Sequence, residues 1–176
     1  ILEEHHRQAA RHILPEIIEK IKAKAARYII TVAGESGSGK SETGQAIANE
    51  LEKHGIRSVV LGQDDYFFFP PKTNDARRRE DPDWLGPHIE VNLGVLEENL
   101  KDALNGKNEI LKPLVDYKKN LIEEEYISLE GVKVLIAEGT YTSLLKNVNT
   151  RIFIARNRLD TLEHRQKRNR GKEVGD

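Results

Sequence analysis

The chain has 176 residues, with 28 Lys and Arg against 29 Asp and Glu, and contains neither Cys nor Met. That length suits one domain with a real core, and the near-zero charge balance excludes a whole-surface field that would recruit nucleic acid or an anionic membrane. Without Cys there are no disulfides, thiolate metal sites or cysteine nucleophiles, and no apolar run approaches membrane-spanning length.

Residues 1–26 have a helical period, with Ile13, Ile17, Ile18 and Ile21 as the apolar stripe and Pro15 as a break or a helix start within it. His5, His6 and His12 have no organising carboxylate pattern and read as solvated or packing side chains. Residues 28–33, Tyr-Ile-Ile-Thr-Val-Ala, are the short β-branched run that a buried parallel strand requires. Residues 34–41 follow as GESGSGKS, and residues 41–53 continue as a helix with Ala46, Ile47 and Leu51 on one face and His54-Gly55 as its stop.

A strand, a glycine loop and a helix start in that order make a phosphate site. Gly34, Gly37 and Gly39 permit backbone angles and approaches that a Cβ forbids, so successive amides can wrap a phosphate chain at the positive end of the helix dipole. The expected nucleotide-binding set is Gly34, Glu35, Ser36, Gly37, Ser38, Gly39, Lys40, Ser41 and Glu42. Lys40 supplies an ammonium for the β and γ phosphates of ATP, and Ser41 a hydroxyl for Mg²⁺.

Residues 57–61 predict a second strand leading into Gly62-Gln63-Asp64-Asp65-Tyr66-Phe67-Phe68-Phe69. Residues 70–87 hold four prolines, many charges and little periodicity, and read as a functional loop. Within it Arg77, Arg78 and Arg79 read as surface, and Trp84 as either a loop anchor or a wall of the substrate site. Residues 91–104 are helical, with Leu93, Leu96, Leu100 and Leu104 inward and Asn105-Gly106 as the end. Residues 110–117 and 125–129 predict a strand pair around a polar turn at 118–124. Residues 133–137 and 151–155 are the third and fourth core strands, and 159–170 a basic helical stretch.

Strands alternating with helices predict an α/β fold of three layers, a parallel sheet covered on both faces. Ligands in such folds bind at the carboxyl ends of the strands. That edge collects the glycine loop, Asp64-Asp65 and Glu138. Phosphoryl transfer to an alcohol needs a carboxylate at the acceptor oxygen and a metal at the phosphates. Asp64 is the candidate base, ahead of Asp65, and the aromatic run from Tyr66 offers a wall for the acceptor. Glu138 would hold Mg²⁺, with Ser41 and Asp64 as the other metal candidates. Arg165, Arg168 and Arg170 could close over the triphosphate and neutralise transition-state charge.

With these landmarks the chain resembles the uridine kinase and phosphoribulokinase family of P-loop kinases over residues 28–172. GESGSGKS is similar to the family's Ser-Gly-Ser-Gly-Lys form, and Gln63-Asp64-Asp65-Tyr66-Phe67 to its Gln-Asp-x-aromatic-aromatic segment, whose Asp is the base. Asp81-Pro82-Asp83 resembles an acceptor-loop element. Residues 112–117 (KPLVDY) resemble the nucleoside-pocket segment, and residues 136–141 (IAEGTY) the strand ending in Glu-Gly. The resemblance implies a sheet order of 2-3-1-4-5, an arginine lid after strand four, and acceptor contacts from Tyr66, Glu80, Asp83, Tyr117, Asn120 and Tyr141.

The chain departs from the family at Val115, where the pocket Tyr stands, at Asn120 for a base-contacting His, at Glu80 for a ribose-binding Asp, and in the compressed lid HRQKRNRG at 164–171. The expected organisation is an N-terminal helical extension at 1–27 and a P-loop kinase domain at 28–176 whose C-terminal end is incomplete. The expected activity is ATP-dependent phosphorylation of a nucleoside hydroxyl. A kinase acting on a sugar phosphate, a pantothenate-like compound or another small alcohol, and a regulatory NTPase, are the alternatives. Partners beyond a small-molecule acceptor are not expected, save that a homo-oligomer is left open, and the expected compartment is the cytoplasm.

Overall fold

The computed structural model describes residues 3–154. Its elements run α1 (Glu4–Ala23), β1 (Tyr28–Gly34), α2 (Lys40–Lys53), β2 (Ser58–Gly62), a 3₁₀ turn (Gln63–Asp65), α3 (Pro71–Glu80), α4 (Leu93–Leu104), β3 (Glu109–Asp116), β4 (Leu121–Ser128), β5 (Val134–Glu138), a second 3₁₀ turn (Thr142–Leu144) and β6 (Thr150–Ile154). β2, β5, β1 and β6 form a parallel sheet in that order, and β3 and β4 a separate antiparallel pair. Counted as core strands, the sheet order is the expected 2-3-1-4; no fifth strand occurs among the described residues.

Alternation along β1 divides the core. Tyr28, Ile30 and Val32 pack with Val134 and Ile136 against α1 and α2, while Ile29, Leu135 and Ala137 pack with Leu61 against Leu93, Leu96 and Leu100 of α4. β1 and β5 are buried along their full length, which is why their sequences show continuous apolar runs rather than alternation. The sheet thus lies between two helical layers, with the carboxyl ends of its strands on one edge.

Three expectations need correction. α1 runs through Pro15 without a break. Pro15 is exposed, and Leu14, Ile17, Ile18 and Ile21 around it are buried against α2 and the sheet, so packing outweighs the roughly 3 kcal/mol that an interior proline costs. Residues 71–80, expected as loop, form α3. Pro71 at its first turn suits a helix start, but only Asn74 of the helix is buried, so no apolar period betrays it. The hairpin turn is shorter than expected: β4 starts at Leu121, and Asn120 takes the left-handed conformation (φ 52°) that closes the turn. The exposed Glu123 and Glu124 and the half-buried Glu125 are strand residues, polar because β4 is paired on one edge only.

Candidate active site

Gly37 and Gly39 in the loop after β1 have φ of 80° and 87°, a region that L side chains avoid, and Gly39 caps α2. The turn is closed by the Ser38 amide donating to the Glu35 carbonyl at 3.0 Å. The Lys40 ammonium donates to the same carbonyl at 2.8 Å, which holds its charge across the loop. The Ser38 hydroxyl is buried without a hydrogen-bond partner, a donor that a phosphate oxygen would satisfy.

Glu138 ends β5 between Val32 of β1 and Gly62 of β2. A Cβ on Gly62 would lie 2.9 Å from Glu138 Oε1, so glycine is what lets that carboxylate lie over the end of β2. Ser41 lies beside it and, with Lys40, favours its charged form, while Asp64 and Glu42 oppose that form electrostatically. Burial, and then the Asp64 charge, push the Glu138 carboxyl above the usual carboxylate range; Ser41 and Lys40 oppose them. The structure therefore brings Lys40, Ser41, Glu42, Asp64 and Glu138 together. A hydroxyl and carboxylates make a hard-oxygen set suited to Mg²⁺ beside a phosphate cradle, so the residues present fit both groups.

Raising the folded-state pKa means that the charged form of Glu138 opposes folding above the ordinary carboxylate range and the protonated form does not. Glu138→Gln is expected to melt at a higher temperature than the parent near pH 7, without nucleotide or metal, with the gap closing by about pH 4. Thermal melts across that range check this; equal melting temperatures throughout would mean that Ser41 and Lys40 fully offset the burial.

Asp64 and Asp65 diverge. Asp64 is exposed and lies within electrostatic reach of Glu138 and Tyr117. Asp65 turns to the β3–β4 hairpin, where Oδ2 accepts from Lys112 Nζ at 2.9 Å and Oδ1 from the Val115 amide at 3.1 Å. The Gln63 side-chain oxygen accepts from the Tyr141 amide at 2.7 Å and ties the loop after β2 to the loop after β5.

The Phosphoribulokinase / Uridine kinase family matches residues 29–170. The chain belongs to this family. It is 34% identical over 113 residues to a uridine kinase of Staphylococcus epidermidis, a match covering 64% of this chain and 52% of that protein. It is also 29% identical over 155 residues to a bifunctional alpha-galactosidase/sucrose kinase of Mediterraneibacter gnavus, covering 82% of this chain and 17% of that protein. The solved structure of a possible uridine kinase from Bacillus stearothermophilus superposes with a TM-score of 0.60 at 15% identity, over 84% of this chain and 85% of that one. The chain spans about half the length of the uridine kinases it matches.

In this phosphoribulokinase and uridine kinase family member the residues expected to contact an acceptor are placed unevenly. Tyr117 is exposed near Asp64 and Asp65, and Tyr141 is half-buried near Arg78 and Glu90. Tyr66 is fully buried, its hydroxyl donating to Asn99 Oδ1 at 2.8 Å. One side of it lines a cavity of about 350 Å³ with Phe67, Phe68, Leu111 and Pro113. Glu80 and Asp83 are exposed. The Asn120 oxygen accepts from the Lys72 amide at 2.8 Å and so caps α3 from the hairpin tip. Arg165, Arg168 and Arg170 lie outside the described residues.

Sequence reasoning missed the pairing of two cations and left Trp84 open between an anchor and a wall. Arg78 is exposed as expected, but it also donates from Nε and Nη2 to both oxygens of Glu90 at 2.7 and 2.8 Å, and Glu90 is buried. Trp84 is an anchor: its indole N–H donates to Asn74 Oδ1 at 2.8 Å. Lys112 is buried between Asp65 and Glu125, the latter at 3.5 Å. Its signal was available, because Lys112 falls two residues after inward-facing Ile110. Asp65→Ala, which leaves that ammonium less compensated, is expected to cost about 2 kcal/mol in urea unfolding. A loss below about 0.5 kcal/mol would assign the anchoring to Glu125 instead.

Proposed function

We propose that the protein is an ATP- and Mg²⁺-dependent kinase that phosphorylates a hydroxyl of a small metabolite, with a nucleoside as the first candidate acceptor. The observation that carries this reading is the cluster at the sheet edge, where the buried Glu138 lies beside Ser41 and within the field of Lys40 and Asp64. A bound Mg²⁺ would spread charge over the β and γ oxygens. Glu138 and Ser41 would hold it, and the amides around Gly37 to Lys40 would fix the phosphate chain. Asp64, exposed beside that cluster, would take the acceptor hydroxyl's proton as its oxygen bonds to the γ phosphorus and the bond to the bridging oxygen breaks. The products are ADP and a phosphate ester. Family membership supports the reaction class, and the uridine kinase relative supports the nucleoside.

A second reading, transfer to a sugar hydroxyl, is favoured by two side chains. Val115 is buried, and the Asn120 oxygen is engaged with Lys72, so neither offers the ring stacking and base contact of a pyrimidine pocket. The sucrose kinase relative lends support to this alternative. ADP release measured with ATP, Mg²⁺ and a panel of nucleosides and sugars decides the matter. Release that depends on an acceptor is the expected result, and the best acceptor chooses between the two readings. A slow release indifferent to every acceptor would replace both with a regulatory NTPase.

A further inference from the structure

We propose that Gln63 is a positioning residue for phosphoryl transfer, acting through Asp64 by fixing that carboxylate against Glu138 across the ends of β2 and β5; this rests on the kinase reading above. Where the two strands end they interlock. Gly62 and Glu138 are register partners, and the Glu138 side chain lies over Gly62, its Oε1 2.9 Å from where a Cβ would stand. One residue further on the roles reverse. The Gln63 side chain lies over Gly139, where a Cβ would run into the Gln63 Cβ and come within 2.5 Å of its Oε1. Each strand end supplies one side chain and one glycine, and neither side chain would lie as it does if the residue beneath it carried a Cβ.

The interlock is fastened beyond the strands. Gln63 is buried, and its Oε1 accepts from the Tyr141 amide at 2.7 Å. The segment it grips is itself pinned to β1. The Gly139 amide donates to the Val32 carbonyl at 3.0 Å, and the fully buried Thr142 hydroxyl shares its proton between that oxygen and the Gly139 carbonyl, at 3.1 and 3.0 Å. Gln63 thereby ties the turn that carries Asp64 to the chain directly after Glu138.

Asp64 is exposed, and its place follows from its neighbours. Asp65 is fastened to the β3–β4 hairpin by Lys112 and the Val115 amide, Gln63 is fastened to the loop after β5, and the Tyr66 amide closes the turn between them on the Gln63 carbonyl at 2.8 Å. One neighbour holds Asp64 to the hairpin and the other holds it to Glu138. A carboxylate that must meet an acceptor oxygen in line with a phosphoryl group tolerates little error, since a displacement of about 1 Å can cost about 100-fold in rate.

Gln63→Ala releases the Tyr141 amide and uncovers Gly139. With the best acceptor found for the parent, its kcat is expected to fall about 100-fold, with nucleotide affinity within about threefold of the parent's, because only alignment in the transition state is lost. A purely structural role would also slow the enzyme, so the deciding measurement is the double variant with Asp64→Asn, followed by single-turnover rates. Residues that act as a unit are not additive, and Gln63→Ala should cost no more than about threefold in the Asp64→Asn background. A kcat in Gln63→Ala equal to the parent's, or a second fall of about 100-fold on top of Asp64→Asn, overturns the inference. Gln63→Met keeps the bulk over Gly139 without the acceptor oxygen; it takes the place of Gln63→Ala if that variant does not melt cooperatively, with a first fall of about tenfold or more expected and the same double-variant comparison. A parent that transfers to no acceptor removes the kinase reading and this inference with it, whereas an active parent with an indifferent Gln63 variant removes the inference alone.

Discussion

Asp64→Asn is expected to lower acceptor-dependent transfer by about 10² to 10⁴-fold, the range for losing a general base, while nucleotide affinity stays close to the parent's. The substitution keeps volume and the ability to accept hydrogen bonds in the turn after β2, and removes only the site for the proton. Asp64 is exposed and off the phosphate loop, so the loop has no reason to rearrange. Steady-state rates with saturating acceptor, set beside a nucleotide titration, separate the outcomes. A parallel fall in ATP–Mg²⁺ affinity would make Asp64 a metal group, since it also acts on the Glu138 carboxyl. Asp65→Asn should show no such loss of rate, because both Asp65 oxygens are held by Lys112 and Val115 and are unavailable to an acceptor.

Lys40→Ala should reduce turnover by about 10³-fold, the upper end for deleting one preorganised charge from a transfer site. The ammonium lies across the loop on the Glu35 carbonyl, from which it can turn to a phosphate chain without moving the backbone. Lys40 is also the first residue of α2, and alanine is a good helix former. Stability should therefore change by no more than about 0.5 kcal/mol, which separates lost chemistry from lost fold. Turnover within a few-fold of the parent would remove the glycine loop from the reaction altogether.

The features legible in the sequence are those whose cause is local. Residues 28–41 carry a β-branched run, glycines where the chain turns with φ near 80° and 87°, and a helix start, all within one stretch. The sheet edge followed from the same logic, since strands alternating with helices put Asp64 and Glu138 at carboxyl ends whatever their partners. α3 was not legible, because a helix that buries only Asn74 has no apolar period to read.

What tertiary structure decided was the division of labour among chemically similar neighbours. Asp64 and Asp65 are adjacent and alike, and only the arrival of Lys112, 47 residues further on, takes Asp65 out of the cleft. Arg77, Arg78 and Arg79 are a uniform charge run until Glu90 selects one of them for a bidentate pair. Local propensity and periodicity act over a few residues and determine elements and turns. Ion pairs between distant segments form only once the sheet has brought them together, so the charge left to meet an acceptor is a property of the fold.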